Sequence, residues 1–188
     1  QCNHVAMSLN NGTLKFYLNG GEEVINNVTM GAPRTGTDLL IGSSPANPDS
    51  QYYRGLMDGV KVYNTALSLA EIRNNFSVGQ QLINTTQVPL IAYFNLDQTQ
   101  GYFVDSGLYA NHATLIQGVD RVSGGINRSL HFNPNSPTAP DYIEIPAATA
   151  AADLNKGEFI SMEAVIKPDP GKAVWRDLIS KGNGTNFT

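Results

Sequence analysis

Apolar and polar residues alternate with period two along most of this 188-residue chain, in short runs closed off by Gly, Pro and Asn. In "HVAMSLNNGTLKFYLNGGEE" (4–23), Val5, Met7 and Leu9 alternate with polar neighbours. Leu14, Phe16 and Leu18 do the same beyond Asn11-Gly12, a pair suited to a tight reversal, and the stretch predicts a β-hairpin. Further strands are predicted at "DLLIGSSP" (38–45), "GVKVY" (59–63), "LIAYFNL" (90–96), "ATLIQG" (113–118), "SLHFN" (129–133), "DYIEIP" (141–146), "FISMEAVIKP" (159–168) and "DLISKG" (177–182). Within 159–168, Ile160, Met162, Ala164 and Ile166 are expected on one face and Ser161, Glu163, Val165 and Lys167 on the other.

One segment breaks the period. Ser68 reads as an N-cap, Glu71 as the return arm of a capping box, and Leu67 with Ile72 as a hydrophobic staple, which predicts a short helix over 68–76. Residues 78–89, "VGQQLINTTQVP", hold no sustained period, end in Pro89 and read as a linker. Short strands at regular spacing with one small helix predict an all-β antiparallel sandwich or jelly roll.

Composition supports that picture and excludes several function classes. Charged residues make up only 15%, with a net charge of -4, and no basic run interleaves with aromatics as nucleic-acid binding would require. No apolar run reaches the length of a membrane span. Cys2 is the one cysteine, so no disulfide closes within the chain, and the start at Gln1 suits a processed product or part of something longer.

Asn-x-Ser/Thr recurs at Asn11, Asn27, Asn75, Asn84, Asn127, Asn183 and Asn186. Read as N-glycosylation sequons, these place the chain in a secretory route; read as Asn-rich turn chemistry, they suit a secreted bacterial protein. Both readings put it outside the cytoplasm.

Catalytic chemistry is poorly supplied. Retaining hydrolysis of glycosides needs two carboxylates about 5 Å apart. Glu22 and Glu23 are adjacent in a turn, while Glu144 and Glu163 stand singly on strands and read as surface carboxylates. His4, His112 and His131 are far apart, and no nucleophile or metal motif accompanies them. "DSGLYAN" (105–111) gathers a carboxylate, turn carbonyls and an Asn amide, the hard oxygen donors that suit calcium, and an Asx-turn without metal suits the same residues. Trp175 and Tyr109, in segments read as loops, are the candidate aromatic platforms for carbohydrate, with packing the alternative for the Trp.

"LMDGVKVYNTALSLAEI" resembles the last core strand and exit helix of the laminin-G-like, concanavalin-A-like lectin/glucanase jelly rolls, whose pattern is G-x-I-D-x-V-x-I-Y-N-x-A-L-S-x-x-E-I. The first hairpin is similar to that family's W-H-H-V-A…G-x-L-x-x-Y-V-N-G, with Cys2 and Asn3 where an aromatic and a His are usual. "LIAYFNLDQTQGYFVDSGLYANHATL", "SLHFNPNSPTAPDYIEIP" and "FISMEAVIKPD" resemble the family's opening half. The order is therefore displaced: 1–77 looks like the C-terminal half of a module, 78–89 like a linker, and 90–188 like the N-terminal half of another, without the middle strands. Three arrangements follow: an excerpt of a tandem array, two halves closing on each other as a circular permutant, or pairing between neighbouring copies, which makes a filament or a swapped oligomer.

The resemblance implies an extracellular, non-catalytic recognition or adhesion module that binds glycans or matrix partners, without nucleic acid or a membrane span. Its rivals are a structural subunit of a self-associating extracellular glycoprotein fibre and an ancillary domain of a polysaccharide-degrading enzyme. It also implies a structural calcium ion held by Asp58, Asp105, the Gly107 carbonyl and Asn111, with Asp141 a weaker donor; "SGLYAN" departs from the family's "SSGNxN" in that loop.

Overall fold

The computed structural model describes residues 1–24, 38–43, 52–78, 90–107, 109–123, 127–133, 141–146, 159–171 and 177–181. Most of the linker stretch lies outside them. The strands are β1 (Asn3–Asn10), β2 (Thr13–Leu18), β3 (Gly21–Val24), β4 (Leu39–Ile41), β5 (Gly55–Tyr63), β6 (Leu90–Phe94), β7 (Thr114–Gln117), β8 (Asp120–Ser123), β9 (Arg128–Phe132), β10 (Tyr142–Ile145), β11 (Phe159–Pro168) and β12 (Ile179–Lys181), and α1 is Leu69–Val78.

The opening hairpin forms as its alternation predicts. Asn11 (φ 45°) and Gly12 (φ 82°) both take positive φ, the I′ geometry that matches strand twist. Its neighbour on the far side is β11: Asn3 pairs Ile166 and the register runs without a break to Asn10 opposite Phe159. An eight-stranded sheet follows in the order β3-β2-β1-β11-β5-β9-β8, with β6 also paired to β5. A four-stranded sheet, β12-β4-β10-β7, packs against it. The described pairings are antiparallel throughout the named strands. The fold is an all-β antiparallel sandwich of jelly-roll type carrying one helix among the described residues.

The main core lies between the sheets. Leu9, Met57, Val62, Leu130, Phe132, Ile160, Ala164 and Ile166 of the large sheet meet Leu39, Ile41, Ile143 and Ile145 of the small one. A second core lies on the opposite face of the large sheet, where Leu67 and Ile72 pack on Ala6, Tyr17, Tyr63 and Leu90. Helix α1 is set there by its start signal. The Ser68 N–H donates to Glu71 Oε2 at 2.7 Å and the Glu71 N–H returns to Ser68 Oγ at 3.3 Å. The staple residues Leu67 and Ile72 are both buried.

That second core changes the reading of β11. Its alternate face does not look into water: Ser161 and Glu163 are as buried as Ile160 and Ala164, because α1 and its lead-in lie over them. Ser161 Oγ accepts the Leu67 N–H at 2.8 Å, and Ser8 Oγ donates to the Leu67 carbonyl at 3.1 Å, so the two serines anchor the chain just before the helix. Tyr52 forms an isolated bridge to Asp177, and Tyr53 is a core residue whose hydroxyl donates to the Leu56 carbonyl at 2.7 Å.

Candidate functional site

The loop leaving β6 is built on one carboxylate. Asp105 is buried, its Oδ1 accepts the backbone N–H groups of Tyr93 and Gly107 at 2.7 Å each, and its Oδ2 accepts the Asn111 N–H at 2.8 Å. The Asn111 side-chain amide donates back to the Ile91 carbonyl at 3.0 Å. A Cβ on Gly107 would lie 2.9 Å from Asp105 Oδ1, so only a residue without one fits this turn without shifting the carboxylate. These bonds pin residues 105–111 to β6, Leu108 lying outside the described residues. Asp58 lies on β5, where its Oδ1 accepts the Gly59 N–H at 2.8 Å at the point where the β5–β11 register shifts.

A carboxylate offers about four lone-pair sites. Three of those of Asp105 already take amide protons, so a calcium ion at this carboxylate would compete with the bonds that shape the loop. Among the described residues, no group of three or more His, Cys, Asp or Glu stands together as a metal cluster. Asp141 is remote from this loop in its contacts; its Oδ2 accepts the Asn133 N–H at 2.7 Å, and burial raises its carboxyl above the ordinary value.

Exposed aromatic side chains stand on and beside this loop. Tyr102 is 57% exposed and Tyr109 40% exposed, with Val104 also at the surface. The His112 ring packs on Tyr102 at 5.5 Å between centroids, and its Nδ1 accepts the Asp105 N–H at 3.2 Å, which leaves the neutral ring's proton on Nε2. The Arg121 guanidinium lies 4.7 Å above the ring of the buried Phe103, and Arg121 Nη2 donates to the Gly101 carbonyl. Arg121 Nε is buried without a hydrogen-bond partner. Exposed aromatic faces beside fixed polar groups are what a sugar ring stacks on and bonds to. Tyr102 and His112 were not singled out from the sequence; only the antiparallel bridge between Phe103 and Ala113 brings them side by side.

The second polar constellation is buried beneath α1. Glu163 (2% exposed) accepts Lys61 Nζ at 2.7 Å and the Tyr63 hydroxyl at 2.9 Å on Oε1, and the Asn75 amide bridges both its oxygens at 3.2 and 3.1 Å. His4 Nε2 lies 3.4 Å from Oε2, near enough for an ion pair but without hydrogen-bond geometry. Burial alone would raise the Glu163 carboxyl. His4, Lys61 and Asn75 outweigh it and hold the group at about 2. Burial and the Glu163 charge push the Tyr63 phenol up, and Lys61 also sits 5.7 Å from the Tyr93 ring, whose phenol burial and nearby acids raise to about 12. Reading Glu163 as a surface carboxylate is thus corrected: the helix covers a face that alternation assigns to solvent.

Of the sequons, Asn11 and Asn127 stand exposed at turns, at φ 45° and 73°. Asn75 is half-buried on α1 with its amide on Glu163. Asn27, Asn84, Asn183, Asn186 and the platform candidate Trp175 lie outside the described residues. Glu22 accepts Lys15 Nζ at 2.7 Å across the β2–β3 pair.

Comparison with known proteins agrees with this architecture. A laminin G family model described as the concanavalin A-like lectin/glucanases superfamily matches residues 1–73, which run from β1 into α1. No curated protein and no solved structure matches the chain. No helix among the described residues is long and apolar enough to cross a membrane. Residues 1–73 are thus similar to the concanavalin A-like lectin/glucanases superfamily, and they build one sandwich together with the strands beyond them.

Proposed function

We propose that this chain is an extracellular, non-catalytic recognition module that binds glycans through the surface formed by Tyr102, Tyr109 and His112. The observation that supports this reading is the exposed Tyr102 ring packed on His112 in a loop fixed by Asp105. Stacking on carbohydrate C–H faces requires exposed rings, and orientation requires donors that do not move. The buried acids Glu163 and Asp105 are each held by donors that belong to the fold, which suits a binding role better than acid–base work. A glycan array probed with the wild-type chain and with Tyr102→Ala tests it. The expected result is a defined set of bound glycans lost or weakened roughly fivefold or more in the variant, since one stacked ring contributes about 1 kcal/mol or more beyond its area. Binding that is absent, or unchanged by Tyr102→Ala and Tyr109→Ala together, rejects it.

A second reading has its own observation. On β2, Phe16 and Leu18 face the side of the large sheet that carries the main core, yet are 39% and 50% exposed. Self-association over this apolar end would suit a structural subunit of an extracellular fibre. Light scattering across a wide concentration range separates the two: Phe16→Ser with Leu18→Thr removes self-association if it runs through β2 and leaves glycan binding intact.

A further inference from the structure

We infer that Asn75 is a structural latch and not a glycan acceptor, although Asn75-Phe76-Ser77 is a complete sequon, and that acceptor use among the described sequons falls on Asn11 and Asn127. N-glycosylation joins Nδ2 of the Asn to a sugar C1. The C1–O bond of a pyrophosphate-linked glycan donor breaks, and the pyrophosphate leaves as the amide loses one proton. At Asn75 that nitrogen is the atom that docks the helix. It donates to Glu163 Oε1 and Oε2 at 3.2 and 3.1 Å and to the Tyr63 hydroxyl at 3.2 Å, between α1 and the large sheet. A sugar on Nδ2 would have to occupy the position of a carboxylate that is 2% exposed. The two states exclude each other: with α1 docked, Asn75 is bare, and with a glycan on Asn75, Glu163 loses a partner and α1 cannot seat.

The other two residues have the opposite surroundings. Asn11 is exposed at the tip of the β1–β2 hairpin, and Asn127 is exposed beside β9, where its amide makes only a 3.4 Å surface contact with Asp97. Ser77, which completes the Asn75 sequon, bonds only the Asn74 carbonyl at 3.0 Å on the exposed face, so the sequon can be removed without touching the latch.

The inference rests on the extracellular reading for its relevance, but its test uses the whole chain exported from a eukaryotic cell behind a secretion leader, and so stands apart from what the protein binds. Glycopeptide mapping of the secreted, folded chain is expected to show glycans at Asn11 and Asn127 and an unmodified Asn75. Ser77→Ala is expected to leave the glycoforms and the hydrogen exchange of α1 unchanged. Asn75→Ala should speed exchange of the α1 amides roughly tenfold or more, as loss of a hydrogen bond to a buried charge implies. A glycan on Asn75 in natively folded protein overturns the inference. So does α1 exchange that Asn75→Ala leaves at the wild-type rate, and bare Asn11 or Asn127 overturns the acceptor assignment.

Discussion

Lys61, Tyr63 and Asn75 all bond Glu163, so removing Glu163 takes away the acceptor that the three share. Glu163→Gln strands the Lys61 ammonium, which is 5% exposed, and is expected to cost roughly 3–5 kcal/mol in urea unfolding at neutral pH. Lys61→Met combined with Glu163→Gln should recover much of that loss, since no net charge then remains buried. The same group sets an acid limit. Its folded carboxyl titrates at about 2 against an ordinary 4.5, so the stabilisation is complete above the ordinary value and is lost as pH falls toward about 2. The gap corresponds to roughly 3 kcal/mol, and a pH series on Glu163→Gln should lack this component of the acid transition. Asp105 offers a parallel test. Because its oxygens hold three backbone amides, Asp105→Ala should cost about 3 kcal/mol or more, and a chelator should leave the wild-type melting temperature unchanged. A clear rise on adding calcium would instead show Asp58, Asp105, Gly107 and Asn111 rearranging around an ion.

At the level of elements, the parts written in short-range pattern were legible and the parts decided by covering were not. The Asn11-Gly12 turn and the Ser68–Glu71 box are local chemistry, and both form as read. Strand β3, "GEEV", and β8, "DRVS", have no alternating apolar set; each becomes a strand because a neighbour offers it an edge, β2 and β9 respectively. The polar face of β11 reads as wet because alternation cannot tell water from a helix lying on top. The aromatic loop was only half visible, since Tyr109 lies in an evident loop whereas Tyr102 gains meaning from a ring ten residues away. The cap itself is testable: Ser68→Ala should lower stability by about 1 kcal/mol, seen as faster exchange confined to the first turn of α1. Gly118 is a harsher case. It holds φ +63°, and a Cβ there would stand 1.9 Å from Asp141 Oδ1. Gly118→Ala therefore combines backbone strain with eviction of a buried carboxylate, and its unfolding midpoint should fall well below that of Ser68→Ala.

On the scale of the whole molecule, the strand order makes the two sides of the 79–89 stretch depend on each other. β11 is inserted between β1 and β5, so residues 1–78 alone would leave both strands with a bare edge and β4 without any partner in its sheet. Residues 90–181 alone would lose the central β5, to which β6, β9 and β11 all pair. Unmet backbone groups at a buried edge cost about 1–3 kcal/mol each, which neither piece can offset with half a core. The two pieces, produced separately as 1–78 and 79–188, are therefore expected to be unfolded by circular dichroism and near-featureless in amide exchange. Mixing them should restore the β-sheet signal with one-to-one stoichiometry, and the reconstituted pair should melt below the continuous chain and depend on concentration, because the chain connection supplies an effective concentration that free pieces lack. A stable sheet in the 1–78 piece alone would show that the first segment satisfies its own edges, and the pairing of β1 with β11 would then be an addition to a finished fold rather than a condition for it.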